Sequence, residues 1–441
     1  GNFDFILGGE GENISVEAVR ILAGGALPGD SRALLPVSLD ELPSPYLDGT
    51  LDVRLYPGLL WELSRGCPFK CDFCFESRGY DTVRMFPRER IQKELQLFAS
   101  SGVKEIFILD PTFNHNKRRA KDLLLMMHNT APDIHYNIEV RSEYLDREMA
   151  GLFSNLQCSL QIGMQSAHKA VLSNINRTIN KNDFEKKVLY LHEAEVAYGF
   201  DLIYGLPGDT LSGFLDSLDF AIGMVPNHVD IFPLAVLPGT RLYETADALG
   251  LQFQKKDPYL VISSPCFPES DMVQAEKIAS SFDIFYNKGS AVPWLSLLLE
   301  NTGLKPSIFF ERLALWITET GRCSLNARQA DPLSGDTQYC FEQSIENIIR
   351  LQQDYIGYLF EKENIQPLTG IMKDIIQYFG LFAMLDESDK DSAEGWFFYS
   401  PSELERNLHN GIGDLEELAF FVPAIKSAVL FKKALCLMSL S

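Results

Sequence analysis

The chain has 441 residues, 46% of them hydrophobic, with 30 Phe and 16 Tyr; that is core material for two or three domains and excludes a mainly disordered protein. Sixty Asp+Glu against 39 Lys+Arg leave a net charge of −21, which excludes a global electrostatic grip on nucleic acid or an anionic membrane. No uninterrupted apolar run reaches the roughly 18 residues that span a bilayer, and no basic-then-apolar leader opens the chain. The reading is therefore a cytoplasmic protein with no membrane and no nucleic-acid partner.

Residues 1–52 are mixed and turn-rich. Asp4–Leu7 reads as a short apolar strand without a nearby partner, running into Gly8-Gly9-Glu10-Gly11-Glu12. The expectation is a remnant and linker from an upstream domain missing here. Leu42-Pro43-Ser44-Pro45-Tyr46 favours extended backbone laid over a domain surface. From residue 53 short apolar runs alternate with segments of helical period. Strands are expected at Leu59–Leu63, Glu105–Leu109, His135–Val140, Cys158–Ile162, Phe200–Tyr204 and Val229–Val236. Helices are expected at Pro87–Ser100, Lys117–His128, Arg147–Ser154, His168–Asn174, Asn182–Val196 and Leu211–Met224. Six β/α units in succession predict an α/β fold over 53–265, a parallel sheet curled into a partial (β/α)6 TIM-like barrel with functional loops at the C-terminal strand ends.

After Thr240 the alternation stops. Residues 266–441 read as a mainly helical domain that covers or completes the barrel mouth, with helices at Val273–Tyr286, Pro306–Glu319, Phe341–Glu363 and Leu368–Met384. Asp386–Glu394, acidic and poor in apolar residues, reads as a solvated loop.

Of eight cysteines, Cys158, Cys266, Cys323, Cys340 and Cys436 are scattered singly, as buried thiols usually are. The other three stand in Cys67-Pro68-Phe69-Lys70-Cys71-Asp72-Phe73-Cys74, on a loop leaving the first strand. Three thiolates complete neither a four-cysteine zinc site nor a four-cysteine iron–sulfur site. The arrangement suggests a [4Fe–4S] cluster with one iron open to an exogenous ligand. The competing reading is a structural zinc site finished by a distant residue such as Cys158.

This Cys-x3-Cys-x2-Cys loop, with the aromatic Phe73 just before its third cysteine, resembles the radical S-adenosylmethionine (radical SAM) superfamily over roughly residues 53–250. The resemblance implies that Cys67, Cys71 and Cys74 hold the cluster, and that its open iron binds the amino and carboxylate groups of S-adenosylmethionine. One electron from the cluster then cleaves the sulfonium to a 5′-deoxyadenosyl radical, the electron coming from a flavodoxin- or ferredoxin-like donor.

Further expectations follow from the resemblance alone. Leu109-Asp110-Pro111-Thr112-Phe113-Asn114 stands where the family places backbone acceptors for the methionyl ammonium, although the usual Gly-Gly-Glu form is absent. Glu139, in Ile138-Glu139-Val140-Arg141, resembles the carboxylate that holds the ribose hydroxyls. Gln165 and Arg177 match the pattern of coproporphyrinogen-oxidase-like and cobalamin-binding branches, with Arg177 pairing the methionyl carboxylate. Asp201 is a second ribose or ammonium partner, and Leu237, in Val236-Leu237-Pro238-Gly239-Thr240, stands near the adenine. Independently of the resemblance, the position of His115 on a loop at a strand C-terminal end leads us to expect a loop polar contact, with a substrate-side acid/base role as the alternative.

The N-terminal junction looks like that of cobalamin-binding members, where a corrinoid domain precedes the barrel. This implies cobalamin as a further cofactor of the full-length parent and a methyl transfer or rearrangement on a small-molecule or peptide substrate. A different class stays open: a non-catalytic iron–sulfur module, electron-carrying or regulatory, on the same fold. An electron carrier has no need of Glu139, Gln165, Arg177 or Asp201.

Overall fold

A computed structural model describes residues 6–26, 31–32, 37–76, 82–322, 344–387 and 391–432. Its centre is a six-stranded sheet formed by β1 (Gly58–Trp61), β2 (Glu105–Ile108), β3 (His135–Val140), β4 (Cys158–Gln165), β5 (Ala197–Tyr204) and β6 (His228–Pro233), ordered as in the chain. Every sheet pairing recorded by register is parallel. The intervening helices are α1 (Arg88–Ser100), α2 (Lys117–Thr130), α3 (Arg147–Phe153), α4 (Lys169–Ser173), α5 (Lys181–Glu193) and α6 (Leu211–Ile222). The alternation of β/α units predicted from residue 53 onward is thus the observed architecture.

The chain divides into two compact units. In the first, comprising Gly1–Ile162, Asn182–Ala197 and Gly239–Arg241, β1 alternates exposed and buried residues, and α1 buries Ile91, Leu95 and Phe98 at helical spacing. Asn116 and Asp146 cap α2 and α3 by accepting the backbone N–H three residues on. The Trp61 indole donates to buried Glu94 at 2.8 Å, and Arg90 holds the other carboxylate oxygen at 2.9 Å. Each buried polar atom of this group has a partner, as burial requires.

The N-terminal segment differs from the expected linker. Gly11–Ala23 is a helix, and Leu7–Gly8 finds a parallel partner in Ser31–Arg32. Of the expected Asp4–Leu7 strand, residues 4 and 5 lie outside the described residues, and Leu7 opens the strand that pairs with Ser31.

The second unit holds Gly163–Lys181, Tyr198–Pro238 and Leu242–Ser441. Its C-terminal part contains helices α7 (Glu269–Phe282), α8 (Leu295–Thr302), α9 (Pro306–Thr320), α10 (Ile345–Lys362) and α11 (Thr369–Glu387). Of these, α7 with the turn after it, α9 and α10 meet in an aromatic cluster of Phe282, Phe285, Phe309, Phe310 and Tyr355. This part is not helical throughout, because β7 (Ser392–Tyr399) and β8 (Ala424–Lys432) form an antiparallel pair. The loop expected at Asp386–Glu394 is corrected accordingly, since α11 runs to Glu387 and β7 starts at Ser392, with 388–390 outside the described residues. Cys323, Cys340, Cys436 and the start of the expected Phe341–Glu363 helix also lie outside them.

Among the described residues one helix, Gln366–Asp386, is long and apolar enough to cross a membrane by length and composition, and 56% of its apolar window is buried inside the protein. Lys373 and Asp374 interrupt its apolar run. Asp374 is buried and accepts the Tyr399 N–H at 2.7 Å, so the helix carries a carboxylate that β7 satisfies.

Candidate functional site

The cysteine loop leaves the C-terminal end of β1 and is closed at its base by a two-residue antiparallel pair, Ser64–Arg65 with Arg84–Met85. Two side chains, buried Asp110 and half-buried Arg119, grip that base. Asp110, 4% exposed at the end of β2, accepts the Leu63 N–H at 2.8 Å and the Ser64 N–H at 2.9 Å on one oxygen and the Ser64 hydroxyl on the other. Arg119 donates to the Leu63 carbonyl at 3.0 Å and the Phe86 carbonyl at 3.4 Å. Burial raises the Asp110 carboxyl above the usual range, opposed by those hydrogen bonds and the Arg119 charge.

A third clamp comes from the N-terminal segment. Arg65 pairs with Glu62 at 2.8 Å and Glu12 at 2.7 Å, and Arg84 pairs with Glu10. Glu10 also accepts the Val37 N–H at 2.8 Å. The acidic turn read from sequence as a junction thus ties residues 10–12 to the strands that frame the cysteines.

Cys67, Cys71 and Cys74 are half-buried thiols, and Cys67 and Cys74 feel the charge of their loop neighbours. Burial pushes the Cys67 thiol up; the Phe69 N–H and the Thr112 hydroxyl, both hydrogen-bonded to it, and the nearby Arg141 charge pull it down. Burial likewise raises Cys74, whose N–H bonds the Cys71 carbonyl at 3.1 Å. Among the described residues no three His, Cys, Asp or Glu side chains are grouped to hold a single metal ion. Three thiols on one loop suit a multi-iron cluster, in which each thiolate binds a different iron. The zinc alternative fails on Cys158, which opens β4 at the opposite end of the strands and directs its sulfur to the Phe153 carbonyl at 3.5 Å.

Thr112 therefore meets the cysteine loop, while the Asp110 side chain is occupied in framing it and only backbone there can face a ligand. Pro111 lies between them, half-buried. Phe73 is half-buried in the loop. Glu139 is an exposed carboxylate near the end of β3, and its carbonyl accepts the Phe113 N–H at 3.0 Å. His115 makes the expected polar contact, its Nδ1 lying 3.1 Å from the Thr112 carbonyl.

In the second unit Gln165 ends β4 with a positive φ of 59° and a buried Oε1 that has no hydrogen-bond partner. Its amide folds back over Gly163, where an added Cβ would come to 2.7 Å from Nε2 and force the Gln165 side chain to move. Arg177, half-buried after α4, donates through Nη2 to the Gly163 carbonyl at 2.6 Å, which fixes the plane of its guanidinium. Gln165 and Arg177 thus meet at one residue of β4. Asp201, in mid-strand of β5, is in register with Asp230 of β6. Asp230 bonds His228 Nε2 at 2.8 Å and holds that imidazole above its ordinary pKa. Leu237 lies just beyond β6, partly exposed.

The β5–α6 turn carries a group that the sequence did not single out. Asp209, 2% exposed, accepts the Thr210 N–H at 2.9 Å on one oxygen and has no hydrogen bond on the other. Burial pushes its pKa up to about 6 from 3.8, helped by Asp216 and opposed by the Thr210 bond and His168. A raised folded pKa means that Asp209 stabilises the fold when protonated and loses that contribution as pH rises through about 6. A shift of this size corresponds to about 3 kcal/mol, lost between about pH 4 and pH 7. Asp209→Asn is expected to remove that part of the pH slope, read as the difference in thermal midpoint between wild type and variant at about pH 4.5 and 7.5. Equal slopes in the two proteins would contradict this.

Comparison with known proteins bears on these residues. The description "Radical SAM superfamily" matches residues 61–221. The cobalamin-dependent radical SAM methyltransferase TokK of Streptomyces tokunonensis is 26% identical over 333 residues, covering 66% of this chain and 48% of that protein. The 2-(S-pantetheinyl)-carbapenam-3-carboxylate methyltransferase of Streptantibioticus cattleyicolor is 27% identical over 267 residues, covering 56% of this chain and 39% of that protein. The chain thus spans less than half the length of these relatives. The solved structure of the cobalamin-dependent S-adenosylmethionine radical enzyme OxsB with aqua-cobalamin bound superposes with a TM-score of 0.52 at 13% identity, over 93% of this chain and 67% of that one, a likeness of fold.

Proposed function

Residues 61–221 belong to the radical SAM superfamily, and from that premise we propose that this chain is the catalytic portion of a radical SAM enzyme acting on a small-molecule or peptide substrate. The observation that carries the reading is the three-thiol loop held at its base by Asp110, Arg119 and the Glu10–Arg84 pair, a frame that a redox centre on a loop requires. Cys67, Cys71 and Cys74 hold a [4Fe–4S] cluster. When bound there, the cluster would supply one-electron reduction of the S-adenosylmethionine sulfonium, breaking its S–C5′ bond to leave methionine and the 5′-deoxyadenosyl radical.

The remaining roles belong to the chain. The Arg177 guanidinium, its plane set by the Gly163 carbonyl, presents a two-donor fork to the methionyl carboxylate, and the Gln165 amide stands beside it. Glu139 and Asp201 accept from ribose hydroxyls or the ammonium, the backbone of Pro111 and Thr112 offers acceptors, and Leu237 gives the adenine an apolar surface. Residues 53–265 form the catalytic barrel, 266–441 an appended domain, and 1–52 the junction on its N-terminal side. Because TokK is a cobalamin-dependent radical SAM methyltransferase and the Streptantibioticus cattleyicolor relative a methyltransferase, a corrinoid in the full-length protein and a methyl transfer complete the reading. A flavodoxin- or ferredoxin-like protein of the cytoplasm supplies the electron.

The test is anaerobic reconstitution, followed by incubation with S-adenosylmethionine and a strong reductant. The expected product is 5′-deoxyadenosine. Its absence from the full-length protein at full iron content would favour an electron-carrying module instead. Arg177→Lys keeps the charge but loses the planar fork, which costs about 1.5–3 kcal/mol, or about 10- to 150-fold in S-adenosylmethionine affinity, at unchanged iron content. Wild-type affinity in Arg177→Ala would remove Arg177 from the site.

A further inference from the structure

Arg141 was not assigned a role by its sequence pattern, yet its backbone and side chain are both held. It follows β3 directly, and buried Asn114 clamps its peptide twice: the Arg141 N–H donates to Asn114 Oδ1 at 3.0 Å, and its carbonyl accepts from Asn114 Nδ2 at 2.9 Å. The guanidinium lies over the Phe69 ring, 3.7 Å from its centroid, and Phe69 stands between Cys67 and Cys71 in the loop. The other edge of the guanidinium is forked on Glu143, with Nη2 at 2.6 Å and Nε at 3.3 Å. Only 11% of the side chain is exposed. The Glu143 carbonyl in turn accepts from Lys187 at 2.8 Å, and Tyr144 packs against Phe69 with ring centroids 6.1 Å apart.

We propose that Arg141 is a positioning residue that fixes a desolvated positive charge beside the cysteine loop and thereby eases one-electron reduction of the cluster held there. The inference rests on the cluster reading above. Reduction adds one negative charge to a group bound by three thiolates, and a fixed cation nearby stabilises the product more than the reactant. The electron comes from the low-potential protein donor, or in vitro from titanium(III) citrate, and no proton or bond change is involved. Glu143 opposes the effect, since it shares the same guanidinium and carries the opposite sign. Other charges on or against the loop are Lys70, Asp72, Glu76 and Arg241, with Asp72 and Arg241 3.7 Å apart.

The experiment compares reconstituted wild type, Arg141→Met, Arg141→Lys and Glu143→Gln. Iron and sulfide content is measured first, then the cluster midpoint potential by EPR-monitored titration. Arg141→Met keeps the apolar stem on Phe69 but removes the charge, and its reduction equilibrium is expected to be about tenfold less favourable, a midpoint lower by about 59 mV for one electron. Arg141→Lys should stay near wild type, and Glu143→Gln should move the midpoint upward. An unchanged midpoint in Arg141→Met at full iron content overturns the proposal, as does an equal shift in the Met and Lys variants. If Arg141→Met loads no iron, Glu143→Gln decides, and an unshifted midpoint there overturns the proposal. Wild type that binds no iron refutes the cluster itself, a separate failure.

Discussion

Replacing any one of Cys67, Cys71 or Cys74 with alanine is expected to abolish iron binding in anaerobically reconstituted protein, from close to four irons and four sulfides per chain to almost none. The half-burial of these thiols raises two of them above their ordinary range, so uncomplexed thiolates are disfavoured there and the metal must supply the free energy of deprotonation. With three ligands that supply is shared and chelated. With two, one corner of the cluster is left to solvent, and its iron is lost. Cys266→Ala is the control, since that thiol is exposed and distant in sequence. It should keep the full blue-region charge-transfer absorbance. Iron lost as completely from Cys266→Ala as from Cys71→Ala would sink the three-ligand assignment.

The six β/α units were legible because each is encoded locally. His135–Val140 alternates apolar and polar residues, and α2 and α3 begin at Asn116 and Asp146, residues that cap helices by their own side chains. Elements whose reason lies elsewhere were not legible. The Gly11–Ala23 helix carries Ile14, Ala18 and Ile21 at helical spacing, but the glycine pairs that flank it, Gly8-Gly9 and Gly24-Gly25, read as turns and hid it. In β7, Ala393, Gly395 and Phe397 face inward while Trp396 and Phe398 face outward, and aromatics on both faces erase the alternation. The site divides the same way. Its cysteines are a spacing signal within eight residues, whereas Asp110 acts on Leu63 and Ser64, 47 and 46 positions back. Its place after a strand suggested a ligand contact, but its carboxylate is engaged by the chain. Arg141 and Asn114 are joined across 27 positions, and a lone Asn in a loop carries no mark of that.

The second large effect is expected at Asp110. In Asp110→Ala two backbone N–H groups, those of Leu63 and Ser64, and the Ser64 hydroxyl lose their acceptor together. Water cannot readily replace it, because Leu63 and Ser64 are themselves buried. Each orphaned buried donor costs about 1–3 kcal/mol, and the three share one pocket, so a total loss of about 3–5 kcal/mol is expected. That is a large fraction of the 5–15 kcal/mol that typically holds a domain. Arg119 adds to the damage, because it approaches Asp110 and grips the carbonyl of the same Leu63. Asp110→Asn separates hydrogen bonding from charge. Its amide oxygen can still accept both backbone N–H groups and its amide can donate to the Ser64 hydroxyl, while the burial penalty that raises the Asp110 pKa disappears. The asparagine variant is therefore expected within about 1 kcal/mol of wild type, and the alanine variant is expected to unfold at markedly lower temperature and retain less iron. Thermal midpoints and iron per chain for the two variants check this. Equal losses in both would mean that the negative charge, rather than the acceptor geometry, holds the base of the cysteine loop.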